Sequence, residues 1–344
     1  MTQRASLVHG PGRTTSNTTT TTVRRLRAGL AAAAILLGPA PAHAGAEVVL
    51  AVSPNPGSLP IYIAEAEGFF AAEGVAVRMA SRAFGKLSLR LLLDGKAQLC
   101  TVADLPIVLA SFGSERFAIV ATLNTNRDDT KIVTRRSSGI RGAADLVGRK
   151  VGTYTGTTAH YAFDSLLLLE DLDPARVTLV NLKPGEGKSR LLAGSVDAVA
   201  LFEPWAFEAA QALGDDALVL QTRRVYPQTF NLVAAPAPRG PSSAELAAVL
   251  RALDRATRLI ERDPARAKAL LSARLKLDAA LVESSWVSLG YNLGLNQSLF
   301  AMLEGEARWA LRLGLVQGPN PNFLGFIQSE PLRRIRPDSV TLVQ

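Results

Sequence analysis

A short stretch of sequence occurs twice, 99 residues apart, and this repeat constrains the fold more than any other feature of the chain. Residues 92–99 read LLDGKAQL and residues 191–198 read LLAGSVDA, each with the pattern of a helix end, a glycine and the start of a strand. Helices often end at a glycine, so one such match carries little weight. The same offset relates two further pairs: residues 57–58 with 156–157, and Asp104 with Glu203. We infer two similar lobes.

Within each predicted lobe, short β-branched runs alternate with longer helical patterns. This alternation is typical of an α/β fold with a mostly parallel sheet. From Ser242 the pattern becomes helical, opening with the capping box Ser242-x-x-Glu245. Packing of this helical region against a lobe is favoured over a free partner-binding helix. Because ligands of open α/β sheets bind beyond the carboxyl ends of the strands, we expect the residues that follow strands in the two lobes to face a central cleft.

The first 44 residues have the order of a secretory signal. A basic stretch at residues 24–27 precedes an uncharged apolar run at 28–37, and Ala42-His43-Ala44 places small residues around a cleavage point after Ala44. A membrane anchor is the alternative, but the run is shorter than the ~20 apolar residues that span a bilayer. We therefore expect a periplasmic protein, with the Sec and twin-arginine routes both open.

The composition excludes several kinds of site. The chain carries 38 basic and 30 acidic residues, a net charge of +8, but five of the basic residues and none of the acidic ones lie in the first 46 positions. The charge therefore belongs mainly to the leader and does not indicate a nucleic-acid surface. The one cysteine, Cys100, excludes an intramolecular disulfide, and only His160 of the three histidines follows the leader. We expect no metal, no cofactor and no nucleic-acid partner.

A Gly-Thr-Thr turn at residues 156–158 is the strongest candidate for binding. It follows the predicted strand at 151–153 and opens a helix, so free backbone N–H groups, two hydroxyls and the positive end of the helix dipole are expected to form an anion cradle. The alternative is that Thr157 or Thr158 merely caps the helix. His160, in the first helical turn, either hydrogen-bonds a ligand or packs beside the turn.

Two carboxylates follow strands at equivalent positions of the repeat. Glu203 precedes Pro204 and Trp205, which would give a ligand amine or hydroxyl a charged partner beside an apolar wall. The alternative is a helix start with proline at its first position and the tryptophan in the core. Asp104 is the counterpart in the first lobe. A general acid/base pair is disfavoured because no nucleophile and base accompany these carboxylates.

Several motifs occur in an order that is specific even though each is weak alone: Leu59-Pro60-Ile61-Tyr62, Glu67-Gly68-Phe69-Phe70, Asp104-Leu105-Pro106, Gly148-Arg149-Lys150-Val151-Gly152, Gly156-Thr157-Thr158-Ala159-His160-Tyr161 and Glu203-Pro204-Trp205. Through them, residues 47–343 resemble the periplasmic solute-binding proteins of ABC importers in the nitrate, sulfonate, taurine and thiamine-precursor group. The chain departs from the usual pattern at Gln98-Leu99 and at Phe202, which makes the ligand less predictable.

The resemblance implies a type II periplasmic-binding-protein fold, with two Rossmann-like lobes around a central cleft. It places the first lobe at residues 46–136 and 233–344 and the second at 137–232. Together with the motifs above, it implies these ligand-binding residues: Ser58, Leu59, Pro60, Phe84, Gly85, Asp104, Asn124, Thr155, Gly156, Thr157, Thr158, His160, Glu203 and Trp205.

The function that follows is capture of a small anion or zwitterion between closing lobes, for delivery to an inner-membrane permease, by a monomer that is not an enzyme. Two alternatives stay open. One is a synthase of the thiamine-pyrimidine-precursor type, which shares this fold but carries a cysteine-rich motif. The other is a module that presents its ligand to a periplasmic sensor.

Overall fold

Two separate sheets organise the computed structural model, which describes residues 47–220 and 226–343. The signal sequence predicted at residues 1–44 lies outside the described residues. The strands are β1 (Val48–Val52), β2 (Val77–Ser81), β3 (Leu99–Ala103), β4 (Ala118–Asn126), β5 (Thr130–Arg135), β6 (Lys150–Thr153), β7 (Thr178–Asn181), β8 (Ala198–Phe202), β9 (Ala217–Leu220), β10 (Gln228–Ala234) and β11 (Leu289–Gly290). The helices are α1 (Leu59–Ala66), α2 (Phe69–Ala72), α3 (Gly85–Leu93), α4 (Asp104–Ser111), α5 (Thr158–Leu169), α6 (Glu186–Leu192), α7 (Trp205–Leu213), α8 (Ser243–Arg262), α9 (Pro264–Leu275), α10 (Ala279–Trp286), α11 (Gln297–Arg312) and α12 (Glu330–Arg333).

The two sheets repeat one arrangement. The first has the order β11-β4-β10-β3-β1-β2 and the second β7-β6-β8-β5-β9. If β1, β2 and β3 are matched with β6, β7 and β8, each sheet holds three parallel strands followed by a reversed strand and one further strand, β4 or β9, and the first sheet adds β11 at its edge. Strands β3 and β8 begin 99 residues apart, at Leu99 and Ala198. The repeat predicted from the sequence is therefore confirmed.

The expectation of mostly parallel sheets holds only for part of each sheet. Strand β10 lies antiparallel between β3 and β4, and β5 lies antiparallel between β8 and β9. Each of these strands is the first to follow a crossing of the chain from one lobe to the other. A strand that enters from the other lobe arrives at the carboxyl edge of its new sheet, so it runs against its neighbours.

The crossings also move the lobe boundaries expected from sequence. Strand β5 pairs only within the second sheet, although residues up to 136 were assigned to the first lobe. Strand β10 belongs to the first sheet from Gln228 onward, although residues up to 232 were assigned to the second lobe. Neither strand carries a local signal for one sheet or the other, since β5 reads TKIVTR and β10 reads QTFNLVA. We propose 47–126 with 228–343 as the first lobe and 130–220 as the second.

The core of the second lobe lies on both faces of its sheet. Side chains alternate along a strand, so Ile132 of β5 packs on the face that carries Phe163 of α5, while Val133 packs on the face of Leu191 and Ala206. The first lobe has one larger core. This pattern is that of a sheet covered by helices on both sides.

Helix α8 packs on the first lobe, as favoured from the sequence. Its capping box is formed: the Glu245 backbone N–H donates to Ser242 Oγ, and Glu245 Oε2 accepts from the Ser242 N–H. The apolar face of α8, including Val249 and Leu253, is buried against α1 and α2. No helix among the described residues is long and apolar enough to cross a membrane.

Candidate functional site

A small cavity lies where the carboxyl ends of strands from the two lobes meet. The cavity has a volume of about 50 Å³, which is room for a few water molecules or one small solute. The first lobe and the crossings contribute Ser53, Pro54, Asn55, Ala83, Phe84, Gly85, Lys86, Ala103, Pro106, Asp129, Gln228 and Phe230. The second lobe contributes Thr157, Thr158, Phe202 and Trp205.

Four aromatic rings cluster at this cavity, and three of them, Phe84, Phe202 and Trp205, form an apolar wall in its lining. Phe84 of the first lobe and Tyr154, Phe202 and Trp205 of the second are all in mutual contact, with ring centroids 5.1 to 5.9 Å apart. Most of these contacts are tilted or edge-to-face, which is the geometry that aromatic pairs prefer. The wall therefore both lines the cavity and connects the two lobes.

The Gly-Thr-Thr turn opens α5 at the cavity, but its three residues have different roles. Thr157 is the N-cap residue, yet its hydroxyl donates to the Tyr154 carbonyl at 2.6 Å and does not cap the helix. The simple capping role considered from the sequence is thus not what the structure shows. Gly156 has a φ of 69° and its N–H points to His160 Nδ1 at 3.3 Å, away from the cavity lining. Thr158 begins the helix at the cavity, where the first backbone N–H groups have no acceptor earlier in the helix.

A second helix N-terminus, that of α3, opens on the same cavity from the first lobe. Phe84 is its N-cap residue without a side-chain cap, and Gly85 and Lys86 are its first two residues. A Cβ on Gly85 would lie 3.0 Å from the Val102 Cα, so the glycine allows α3 to lie directly against β3. Lys86 is exposed and has no carboxylate partner in the described part of the chain.

Two acceptors line the cavity without a donor. Asp129 and Gln228 are each 4% exposed, and neither Asp129 Oδ2 nor Gln228 Oε1 has a hydrogen-bond partner among the described residues. The other Asp129 oxygen accepts from Asn126 Nδ2 at 3.0 Å. Burial, reinforced by the Glu203 carboxylate, raises the pKa of Asp129 to about 7. Asp129 is therefore a carboxyl group that titrates near neutrality at the edge of an open cavity.

The two carboxylates predicted at the strand ends do not line this cavity. Asp104 is completely buried and accepts from the Thr229 N–H at 2.7 Å, the Leu105 N–H at 2.9 Å and the Tyr226 hydroxyl. Glu203 accepts from the Phe207 N–H at 2.9 Å and borders a separate small cavity together with Asp129. Desolvation by burial raises the pKa of both carboxyl groups.

His160 belongs to a contact between the lobes. Its ring packs edge-on against Trp309 of α11, with centroids 5.0 Å apart, and Trp309 Nε1 donates to Asp164 Oδ2 at 3.0 Å. Tyr161 also packs against Trp309 and against Tyr226. Desolvation by burial lowers the pKa of His160 to about 4. The residue is thus a neutral ring packed beside the turn, the structural alternative considered from the sequence.

The predicted site residues therefore divide into two groups. The structure brings Phe84, Gly85, Thr157, Thr158 and Trp205 to the cavity. It places the others outside the cavity lining: Ser58, Leu59, Pro60, Asp104, Asn124, Thr155, Gly156, His160 and Glu203. Ser58, for example, is buried with its hydroxyl donating to the Ser53 carbonyl.

Sequence reasoning missed Asp129, Gln228, Lys86 and Phe230. A signal for the first existed: Asn126-Arg127-Asp128-Asp129 is a polar run between two apolar strands, which is the composition of a crossing. Lys86 follows the Phe84-Gly85 pair directly. In the described residues, no group of three or more histidine, cysteine, aspartate or glutamate side chains is arranged to hold a metal ion.

Comparison with known proteins identifies the family. Residues 55–267, more than half of the chain, match the family model described as NMT1/THI5 like. The chain belongs to the NMT1/THI5-like family. The resemblance drawn from the sequence motifs is confirmed.

Individual relatives of this NMT1/THI5-like protein are distant. It is 24% identical, over 179 residues, to a putative aliphatic sulfonates-binding protein of Bacillus subtilis, a match covering 51% of this chain and 54% of that protein. The chain thus spans about half the length of that curated relative.

Solved structures show the fold over almost the whole length of the proteins compared. The periplasmic aliphatic sulphonate binding protein SsuA of Escherichia coli is similar with a TM-score of 0.70 at 20% identity, over 82% of this chain and 97% of SsuA. The periplasmic nitrate-binding protein NrtA of Synechocystis is similar with a TM-score of 0.66 at 14% identity, over 84% and 87%. The NMT1/THI5-like chain has the periplasmic-binding-protein fold expected from its sequence.

Proposed function

We propose that this protein is an exported solute-binding protein that captures a small anion between its lobes for an ABC importer. One observation carries the proposal: a helix N-terminus from each lobe, α3 and α5, opens on the same aromatic-lined cavity. Unpaired N–H groups and the positive end of the helix dipole make each terminus an anion site. Two such termini from different lobes bind one anion only when the lobes are closed together.

The comparisons support this choice of ligand. The relatives' names specify aliphatic sulfonates and nitrate, which are small oxyanions. The cavity lining within the described residues contains neither a histidine nor a cysteine that would serve as base or nucleophile. Asp104 and Glu203, the two carboxylates that suggested acid/base chemistry, are buried and hydrogen-bonded to the protein. These features favour binding over catalysis.

The anion contacts that we propose are Gly85, Lys86, Thr157 and Thr158, with Phe84 and Trp205 against the apolar part of the solute. Closure would add the α5 contacts to a solute already resting on the first lobe. We further propose that the protein is cleaved after Ala44, works in the periplasm as a monomer and docks on a permease of the inner membrane.

A ligand panel tests the proposal. The protein, purified from the periplasm of an expression host, is titrated by calorimetry and thermal shift with nitrate, alkanesulfonates, carboxylates and phosphorylated nucleotides. We expect a small anion to raise the melting temperature in a concentration-dependent way, because a ligand that binds only the folded state stabilises it. Stabilisation by the nucleotides alone would contradict the proposal. Mass spectrometry of the purified protein checks that its first residue is Gly45.

A variant pair locates the anion. Thr158→Val removes the hydroxyl at the start of α5 while keeping the side-chain shape, and we expect about tenfold weaker anion binding, the loss of one charge-assisted hydrogen bond. Thr178→Val makes the same change on the exposed strand β7 and is expected to bind like the unchanged protein. Equal affinities for both variants would remove α5 from the site.

A further inference from the structure

A tryptophan of the first lobe packs against one face of a helix of the second. Trp309 of α11 contacts three residues of α5: its ring packs edge-on against those of His160 and Tyr161, with centroids 5.0 and 5.2 Å apart, and its Nε1–H donates to Asp164 Oδ2 at 3.0 Å. His160 and Asp164 are four residues apart and therefore lie on the same face of α5. Trp309, His160 and Asp164 are all buried. The two lobes thus meet at a buried contact that contains a hydrogen bond.

The hydrogen bond matters because the Asp164 carboxyl group has no second donor. Asp164 Oδ1 has no hydrogen-bond partner among the described residues, and His160 Nε2 lies 3.7 Å from Asp164 Oδ2, too far for a hydrogen bond. A buried carboxyl group without a donor is costly, and desolvation by burial raises the pKa of Asp164 to about 6. Without the indole N–H, this carboxyl group would gain from contact with water, which separation of the lobes would provide.

The same contact reaches the helix end that lines the cavity. His160 Nδ1 accepts from the Gly156 N–H at 3.3 Å, in the turn that leads into Thr157 and Thr158. Thr157 and Thr158 line the cavity, whereas Trp309 and His160 do not. Trp309 therefore packs on the residue that fixes this turn, at a place that a solute in the cavity does not reach.

These contacts join α5 to α11 only while the lobes lie together. A contact that one arrangement makes and the other loses shifts the equilibrium between the two arrangements. A hydrogen bond to a charged group is strong enough to change such an equilibrium about tenfold. Because the N-termini of α3 and α5 face each other only when the lobes are together, the affinity for a solute depends on the same equilibrium.

Resting on the proposed function, we propose that Trp309 is a positioning residue for solute binding: by docking on His160 and Asp164 it holds the N-terminus of α5 opposite that of α3. Trp309 acts on the solute only through α5. The free energy that holds the lobes together then comes partly from the solute and partly from this contact within the protein.

A distance measurement between the lobes tests the inference without a solute. Cys100 is buried and is the one cysteine of the chain, so introduced cysteines can be labelled selectively with nitroxides. Arg82→Cys after β2 and Lys183→Cys after β7 place the labels at exposed positions beyond the edge strands of the two sheets. Pulsed electron paramagnetic resonance then gives the ratio of molecules with the lobes together to molecules with the lobes apart. We expect Trp309→Phe, which keeps a ring and removes the N–H, to lower this ratio fivefold or more.

A matched variant and a second disruption complete this experiment. Trp286→Phe makes the same change in α10, where Trp286 packs against Tyr291 of the same lobe, and should leave the ratio unchanged. Asp164→Leu removes the acceptor and provides a second reading if Trp309→Phe does not fold, with the same expected direction. An unchanged ratio in Trp309→Phe and Asp164→Leu, or lobes that are apart in every molecule of the unchanged protein, would overturn the inference.

Solute dissociation separates the inference from the proposed function. Ethanesulfonate and nitrate are the probes, and their dissociation is followed by stopped-flow fluorescence. We expect dissociation to be five- to tenfold faster from Trp309→Phe and unchanged from Trp286→Phe; equal rates from the two variants would overturn the positioning role. If neither probe bound the unchanged protein in the wider ligand panel or alone, the proposed function would fail, whereas the distance ratio would still decide whether Trp309 holds the lobes together.

Discussion

Two buried aspartates near the strand ends of the first lobe, Asp104 and Asp129, show how differently one residue type is used in this molecule. Asp104 accepts hydrogen bonds from the Thr229 N–H and hydroxyl, the Leu105 N–H and the Tyr226 hydroxyl. Asp129 accepts one, from Asn126, and its second oxygen has no partner among the described residues. Both are almost inaccessible to solvent, and burial raises the pKa of both.

The difference lies in what surrounds each carboxylate. Tyr226 lies just before β10 and Thr229 lies within it. Together with the Leu105 N–H, they give both Asp104 carboxylate oxygens hydrogen-bond partners inside the protein. The Tyr226 hydroxyl oxygen also lies 2.7 Å from Glu306 Oε1 of α11, and burial raises the pKa of that carboxyl group well above its usual range. A carboxylate whose acceptors are all used by the protein holds segments together, whereas one with a free acceptor at a cavity is available to a ligand.

The largest expected effect separates the two aspartates by stability. Asp104→Asn places an amide NH₂ where the Thr229 and Leu105 N–H groups donate, and we expect the free energy of unfolding to fall by about 3 kcal/mol. Asp129→Asn replaces a carboxyl group with one unpartnered oxygen and should change the free energy of unfolding by less than about 1 kcal/mol. Urea denaturation without ligand at pH 7.5 measures both. Similar losses in the two variants would remove the distinction.

The next effect concerns the donor that Asp104 shares with Glu306. Tyr226→Phe removes that hydroxyl and leaves two buried carboxyl groups without it, so we expect a loss of about 1–3 kcal/mol in the free energy of unfolding. Tyr154→Phe is the control, because its hydroxyl has only a long contact of 3.4 Å from the Gly185 N–H. A larger loss for Tyr154→Phe in the same denaturation experiment would contradict this ranking.

The pH dependence of binding sharpens the role of Asp129. Its pKa is raised to about 7 by burial and by Glu203, with Lys131 and Asn126 opposing and Asp104 adding to the rise. Because Asp129 gains its negative charge as pH rises through 7, and a carboxylate in the cavity lining repels an anion, binding of ethanesulfonate should weaken about threefold from pH 6 to pH 8. Calorimetry at these pH values measures the change, and Asp129→Asn should abolish it. An affinity that does not change between pH 6 and pH 8 would mean that the bound anion does not lie near Asp129.

The smallest effect is expected at Lys86, the exposed lysine in the first turn of α3. Lys86→Gln should weaken anion binding about threefold, because an ion pair in contact with solvent contributes little and is screened by salt. Lys96→Gln, three residues beyond the C-terminal end of α3, serves as the matched control and should have no effect. A loss for Lys86→Gln that does not shrink between 0.05 and 0.5 M salt would indicate a structural role for the side chain.

The sequence predicts the repeated elements well because their signals are local. The glycine after α3 and the one after α6 mark helix ends, and the strands that follow, β3 and β8, begin at the predicted spacing. The antiparallel direction of β5 and β10 is not a local property of the sequence, because it depends on which of the two sheets each strand joins after its crossing.

The site is less predictable for a related reason. The sequence shows that Asp104 follows a strand, but Thr229, which donates hydrogen bonds to it, lies 125 residues further along the chain. Thr158 was found because a helix start after a strand has a recognisable pattern, whereas Gly85 came only from the resemblance to a family. Asp129 was missed because no motif distinguishes a carboxylate with a free oxygen from one whose oxygens are both bonded.

The position of Asp129 and Gln228 at the crossings has a consequence for the order in which a bound solute would be released. Points close to the axis of a bending motion move least, and the crossings are the covalent links about which the lobes bend. The helix N-termini of α3 and α5 belong to opposite lobes and separate as the lobes swing apart. On the proposed function, opening therefore separates the two helix ends that hold the anion before it moves the residues at the crossings.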